Sequence, residues 1–118
     1  MNLIKISAVN ALEMMKRGEL TSEEYVNAFL EHIKARESEV GAWIFLDPEL
    51  ALKQARHADK RWKDKTPGIL NGIPIGIKDI IDTKDMPTEN GSLIHQGSCL
   101  LYTSDAADDT PCVDLGGR

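Results

Sequence analysis

The run Gly72-Ile73-Pro74-Ile75-Gly76-Ile77-Lys78-Asp79 ends a short β-branched stretch on a single lysine. Side chains alternate along a strand, so Ile73, Ile75 and Ile77 share one face while Pro74, Gly76 and Lys78 share the other. The isoleucine face suits packing beneath helices. On the opposite face Gly76 has no side chain, which leaves a hollow beside Lys78. Pro74 is tolerated near a strand start where its missing N–H is not required. A lysine at the carboxyl end of a parallel strand lies where open α/β sheets hold their ligands. Desolvation there disfavours the ammonium form and lowers the pKa, which equips a lysine to act as a general base near neutral pH. Spacing alone favours the plainer reading, a solvent-facing lysine that ends a strand and pairs with Asp79.

Other constellations are weaker. Gly72-x-x-x-Gly76-x-Lys78 has the wrong glycine spacing for a phosphate loop, and no Ser or Thr follows the lysine. Asp79, Asp82 and Asp85 recur every third residue, whereas a calcium loop needs alternate positions around a central glycine. His32, His57 and His95 are scattered, the first two on expected helices, so no metal site is expected. Glu49, Asp59 and Asp64 read as solvated charge. No cofactor is expected.

The elements that must position Lys78 follow from periodicity. A first helix is predicted from Ser7 to about Arg17, with Ser7 as N-cap, a stripe of Val9, Leu12 and Met15, and Gly18 closing the end. Thr21-Ser22-Glu23-Glu24 is a capping box that opens a second helix running to about Glu37, with Val26, Phe29, Leu30 and Ile33 at helical spacing. Ala42-Trp43-Ile44-Phe45-Leu46 reads as a buried strand. Asp47 then caps a third helix with Pro48 at its first position, and Ala51, Ala55, Ala58 and Trp62 line one face to about Lys63. Small alanines would let this helix approach a sheet closely. Ile73–Ile77 supplies the next strand, so strand, helix, strand forms a βαβ crossover with two parallel strands of a larger sheet. After Asp79 the chain turns loop-like, with Asn90-Gly91 as a turn signal.

Residues 98–118 read differently. Cys99–Asp108 resemble the in-frame translation of a transposon end and primer site from a DNA-sequencing adapter. Residues near Asp109–Cys112 fall on its variable index, and Val113–Arg118 on the flow-cell primer. Two units are therefore expected: residues 1–97, and a non-native tail at 98–118 to be set aside in fold reasoning. The tail carries Asp105, Asp108, Asp109 and Asp114 against Arg118, a net −3 of the chain's −5, which leaves −2 on the first 97 residues. That near-balance gives no footprint for direct nucleic-acid binding. Both cysteines, Cys99 and Cys112, fall in the tail, so residues 1–97 offer no disulfide framework, thiolate nucleophile or Cys-based zinc site. No apolar run approaches the ~20 residues of a membrane span, and the start Met1-Asn2-Leu3-Ile4-Lys5-Ile6-Ser7 lacks the apolar core of a signal peptide. A soluble, cytoplasmic protein is expected.

The segment Leu70–Thr83, continued by Met86-Pro87-Thr88 and Gly91-Ser92, resembles the amidase signature family in order and spacing. The lead-in is also similar, in its helices, the Ala42–Leu46 run and the alanine-rich helix. The likeness covers nearly all of residues 1–97, and residues 70–92 carry its specificity. It implies an α/β fold: N-terminal helices plus the first βαβ unit of a larger mixed sheet, here truncated. It also implies that Lys78 is the base of a Ser–cis-Ser–Lys triad in a serine hydrolase that cleaves carbon–nitrogen amide bonds. The family's two serines lie in a Gly- and Ser-rich stretch well downstream, and no such stretch precedes Ser98; Ser92 matches the Gly-Ser of the loop instead. The expectation is therefore an amidase fragment with Lys78 as its one catalytic residue, inactive as it stands and poorly stable alone. The substrate in the full-length protein would be a small-molecule amide, with no membrane partner, and oligomerisation is left open. Two alternatives stay open: an amidase component that feeds ammonia to a misacylated-tRNA amidotransferase, and a non-catalytic interaction module built on the two amphipathic helices.

Overall fold

The computed structural model describes residues 1–78, Ile81 and the backbone of Cys112–Asp114. After a 3-10 turn at Leu3–Lys5 come three helices: α1 (Ala8–Lys16), α2 (Ser22–Val40) and α3 (Pro48–Lys63). Two short strands follow, β1 (Ile75–Ile77) and β2 (Cys112–Asp114). They pair in parallel, with Ile75 opposite Cys112, Gly76 opposite Val113 and Ile77 opposite Asp114.

The helix ends obey local chemistry. Ser7 Oγ accepts from Asn10 N at 3.2 Å and opens α1. Gly18 closes it at φ +74°, where its N–H and that of Glu19 reach back to Met15 O and Met14 O. The capping box at α2 is complete: Thr21 Oγ1 accepts from Glu24 N at 3.1 Å, while Thr21 N donates to Glu24 Oε2 at 2.9 Å. The helix runs past Glu37 to Val40, where Gly41 at φ +61° donates its N–H to Glu37 O. Asp47 Oδ1 accepts from Leu50 N at 3.1 Å and opens α3, with Pro48 in its first turn.

Two expectations about packing change. Ala11 and Met15 form the buried stripe of α1 with Leu12 half-buried, whereas Val9 is 70% exposed. The alanines of α3 approach a helix as their main partner, while α3 also lies against β2: Ala51 and Ala55 pack with Val26 and Leu30 of α2, flanked by Ile33, Trp43, Leu46 and Leu52. Small side chains allow the two backbones to come close, so the same residues serve either partner. A second cluster joins Ala11, Met15, Leu20, Tyr25 and Ile73. Ile77 forms a third with Phe45, Leu50 and Ile75.

Residues 42–46 are not a strand. A strand persists where a neighbour satisfies its N–H and C=O groups, and here Trp43 N donates instead to the Glu37 side chain at 2.9 Å. The apolar run is used for irregular packing, Trp43 and Leu46 on the α2–α3 cluster and Phe45 on Ile77. The parallel partner of β1 is β2 instead. The helix and second strand of the expected crossover are thus in place, while its first strand is irregular chain with a bend at Ile44.

Candidate functional site

Alternation along β1 follows the sequence pattern. Ile73 and Ile77 are buried and Ile75 half-buried, whereas Gly76 and Lys78 are exposed. Lys78 comes directly after the strand, at its carboxyl end, and its carbonyl accepts from Ile81 N at 2.9 Å. The side chain faces solvent, so the described residues do not supply the desolvation that a basic lysine requires. Asp79, its simplest ion-pair partner, lies outside the described residues, as do Asp82, Asp85, the Asn90-Gly91 turn, Ser92, His95 and Cys99. His32 and His57 are exposed. No group of three or more His, Cys, Asp or Glu among the described residues could hold a metal ion.

The turn that launches β1 is held from two helices. Ser22, in the first turn of α2, is wholly buried, and its Oγ donates to Gly72 O at 2.8 Å. Asn71, 1% exposed, donates from Nδ2 to Ala58 O of α3 at 2.8 Å, and its own carbonyl accepts from Trp62 Nε1 at 3.2 Å. Gly72 stands at φ +93°, and a methyl group on it would lie 2.9 Å from Met15 Sδ and 3.2 Å from Ser22 Cβ. Only glycine meets both the dihedral and the space.

Asp59, which reads as solvated charge in the sequence, is half-buried, and its carboxylate accepts from Ser22 N and Glu23 N across the α2–α3 interface. Sequence reasoning does not find these residues. Asn71-Gly72 is a turn dipeptide of the same kind as Asn90-Gly91, a signal that marks the turn; nothing in the sequence marks Ser22 or Asp59 as partners. An open depression of about 340 Å³ lined by Thr21, Glu23, Glu24, Asn27 and Leu52 contains no residue of the Lys78 strand.

Three helices feeding a short strand that is followed directly by an exposed lysine are the amino-terminal part of the α/β amidase signature fold. The family model described as Amidase matches residues 24–107, and the chain belongs to that family. It is 47% identical over 81 residues to a glutamyl-tRNA(Gln) amidotransferase component of Chloroflexus aggregans, an alignment covering 68% of this chain and 17% of that protein. The corresponding protein of Clostridium botulinum is 37% identical over 105 residues, 88% of this chain and 21% of that protein. Among solved structures, the native peptide amidase of Stenotrophomonas maltophilia superposes with a TM-score of 0.80 at 31% identity, over 96% of this chain and 24% of the other. The chain thus spans about a fifth of the length of the curated relatives it matches.

Proposed function

We propose that this chain is the amino-terminal part of an enzyme, the parent protein, that cleaves a carbon–nitrogen amide bond with Lys78 as the base of a Ser–cis-Ser–Lys triad. The single observation that carries this reading is the position of Lys78. It comes directly after β1 at that strand's carboxyl end, exposed where Ile73 and Ile77 are buried, inside the segment matched by the family. In the triad, unprotonated Lys78 takes a proton from the bridging serine as that serine takes one from the nucleophile. The nucleophilic oxygen bonds to the amide carbonyl carbon, the C–N bond breaks, and the protonated amine leaves an acyl-enzyme that water hydrolyses. The remainder of the parent would cover the exposed lysine and shield it from water. The substrate is a small-molecule amide, and the site of action the cytoplasm. No helix among the described residues is long and apolar enough to cross a membrane. The near-neutral charge of residues 1–97 favours neither direct nucleic-acid contact nor a particular oligomer.

A second reading has its own support: the relatives matched at 37–47% identity are components of glutamyl-tRNA(Gln) amidotransferases. Under it the same amide chemistry would deliver ammonia to a misacylated tRNA, with partner proteins making the RNA contacts.

The boundary at residue 97 belongs to the same proposal, with residues 98–118 foreign to the parent. The test is to read the source DNA across codon 97 without transposase adapters and to express the continued frame. Amide hydrolysis by that protein, abolished in Lys78→Ala, is the expected result. A frame that keeps the same tail and then stops would overturn the boundary; full activity of Lys78→Ala would overturn the role of the lysine. The 118-residue chain by itself is expected to hydrolyse no amide, since it holds the base without the serine pair.

A further inference from the structure

We propose that Ser22 and Asn71 are positioning residues for Lys78, and that the turn they hold sets where the lysine-bearing strand stands along its own axis. The inference rests on the reading of Lys78 above.

β1 is fixed to the helical layer in two ways. At its carboxyl end Ile77 packs with Phe45, Leu50 and Ile75. Such apolar burial is non-directional, so it holds the strand in the layer but tolerates sliding and rotation. At its amino end the restraint is directional. Ser22 Oγ meets Gly72 O at 2.8 Å, Asn71 Nδ2 meets Ala58 O at 2.8 Å, and Trp62 Nε1 meets Asn71 O at 3.2 Å. Hydrogen bonds weaken steeply as their angles close, so three of them on two adjacent residues fix an origin. The segment Cys112–Asp114, which pairs with β1 and lies against α3 here, falls in the residues read above as foreign to the parent and supplies no restraint there.

Burial makes these bonds hard to replace. Ser22 is 0% and Asn71 1% exposed, so water cannot readily take over either partner. Ser22 is itself held from α3, its backbone N–H donating to Asp59 Oδ1 at 2.6 Å. The anchor is thus one closed circuit through α2, α3 and the turn. Lys78 lies six residues beyond Gly72, about 20 Å of extended chain. A shift at the origin is carried to the lysine almost undiminished, because an extended strand neither shortens nor coils to absorb it.

Misplacement of a catalytic group by about 1 Å can cost on the order of a hundredfold in rate. Loss of one anchor bond should therefore lower turnover without altering substrate binding. The experiment uses the parent protein. Ser22→Ala and Asn71→Ala are compared with wild type and Lys78→Ala for kcat per folded molecule, KM and the pH profile of kcat, with the folded fraction measured by circular dichroism. Expected are a fall in kcat of about ten- to a hundredfold, an unchanged KM, and a displaced pH profile as the surroundings of Lys78 alter.

A purely structural role would lower the folded fraction and leave kcat per folded molecule and the pH profile untouched, which overturns the inference. Asn71→Ala risks misfolding, and Ser22→Ala, which removes one hydroxyl and leaves the circuit's other bonds, then decides alone. Inactive Lys78→Ala with fully active Ser22→Ala refutes the positioning role and spares the lysine's. Active Lys78→Ala refutes the reading beneath both.

Discussion

Asp59 Oδ1 accepts from Ser22 N at 2.6 Å, and Oδ2 of the same carboxylate takes Glu23 N at 3.1 Å. One side chain of α3 therefore caps the first turn of α2, and its negative charge meets the positive end of that helix dipole. The Thr21–Glu24 capping box serves other groups of the same turn, so α2 is capped twice, locally and from a neighbour. Asp59→Ala should cost about 1–2 kcal/mol. In the parent protein, exchange of the Ser22 and Glu23 amides should accelerate about 5- to 30-fold in a hydrogen-exchange measurement. Unchanged exchange would mean that water or Glu23 already satisfies those donors. Removing Arg56, whose ion pair with Glu23 spans 3.2 Å between roughly half-exposed side chains, should change little by comparison.

Gly72→Ala tests the turn directly. The new methyl would lie 2.9 Å from Met15 Sδ and 3.2 Å from Ser22 Cβ, at φ +93°. Met15 has a flexible side chain and can yield; the serine Cβ, on a helix, cannot. Strain at positive φ and overpacking together should cost about 2–4 kcal/mol. A lowered thermal midpoint of the parent checks this. Gly41→Ala serves as the control, since it shares the positive φ but meets no atom within 4 Å, and should cost only about 1 kcal/mol. Equal losses at the two sites would show that the space around Gly72 is not filled.

The caps are the most legible part of this fold, because Ser7, Thr21–Glu24, Asp47-Pro48 and the glycines at 18 and 41 act through bonds three or four residues away. Segment 42–46 deceives because a compact apolar run looks alike in a strand and in packed irregular chain. What separates the two is a ladder partner, which is not a local property. At the site, the alternation of Ile73, Ile77 and Lys78 is legible for the same local reason. Its anchors are not: Ser22 and Gly72 are fifty residues apart, and Ser22 and Asp59 thirty-seven. Asp59 reads as solvated charge because a carboxylate on an amphipathic helix usually is one, and only the crossing of α2 over α3 gives it two amides to accept from.

Tyr25 gives the helical layer a dependence on alkaline pH. Its ring packs edge-on against Phe29 with centroids 5.0 Å apart, and its hydroxyl donates to Ile6 O at 3.0 Å. Burial pushes the phenol above its ordinary value of 10.0, because the anion would be poorly solvated. The unfolded chain therefore releases this proton first. Stability from Tyr25 is fully present below about pH 10 and is lost as pH rises from there through the folded-state value. Tyr25→Phe should cost about 1 kcal/mol at neutral pH, since Ile6 O loses its donor. It should also flatten the decline above pH 10, which thermal midpoints measured from about pH 8 to 11 would reveal. An identical alkaline slope in the variant would assign the decline to other groups.

Residues 1–97 should not behave as an independent domain. Among the described residues their core is divided into three separate clusters, one of them centred on the single buried residue Ile77. A chain of about 100 residues buries only some 60–70% of its unfolded surface, so a divided core leaves little margin over the conformational entropy lost on folding. Ile69 is 91% exposed, Leu70 42% and Ile44 38%, and all three want cover. β1 is a three-residue parallel strand; among the described residues it has no ladder partner once residues 112–114 are removed, which makes it a ready template for pairing with other copies. The expectation is a broad thermal transition whose midpoint moves with protein concentration, together with association visible by size-exclusion chromatography. Replacing Ile75 by lysine would place charge beside the open edge and should reduce that association without restoring cooperativity. A sharp, concentration-independent transition for residues 1–97 would instead favour a self-sufficient helical module, and with it the non-catalytic alternative.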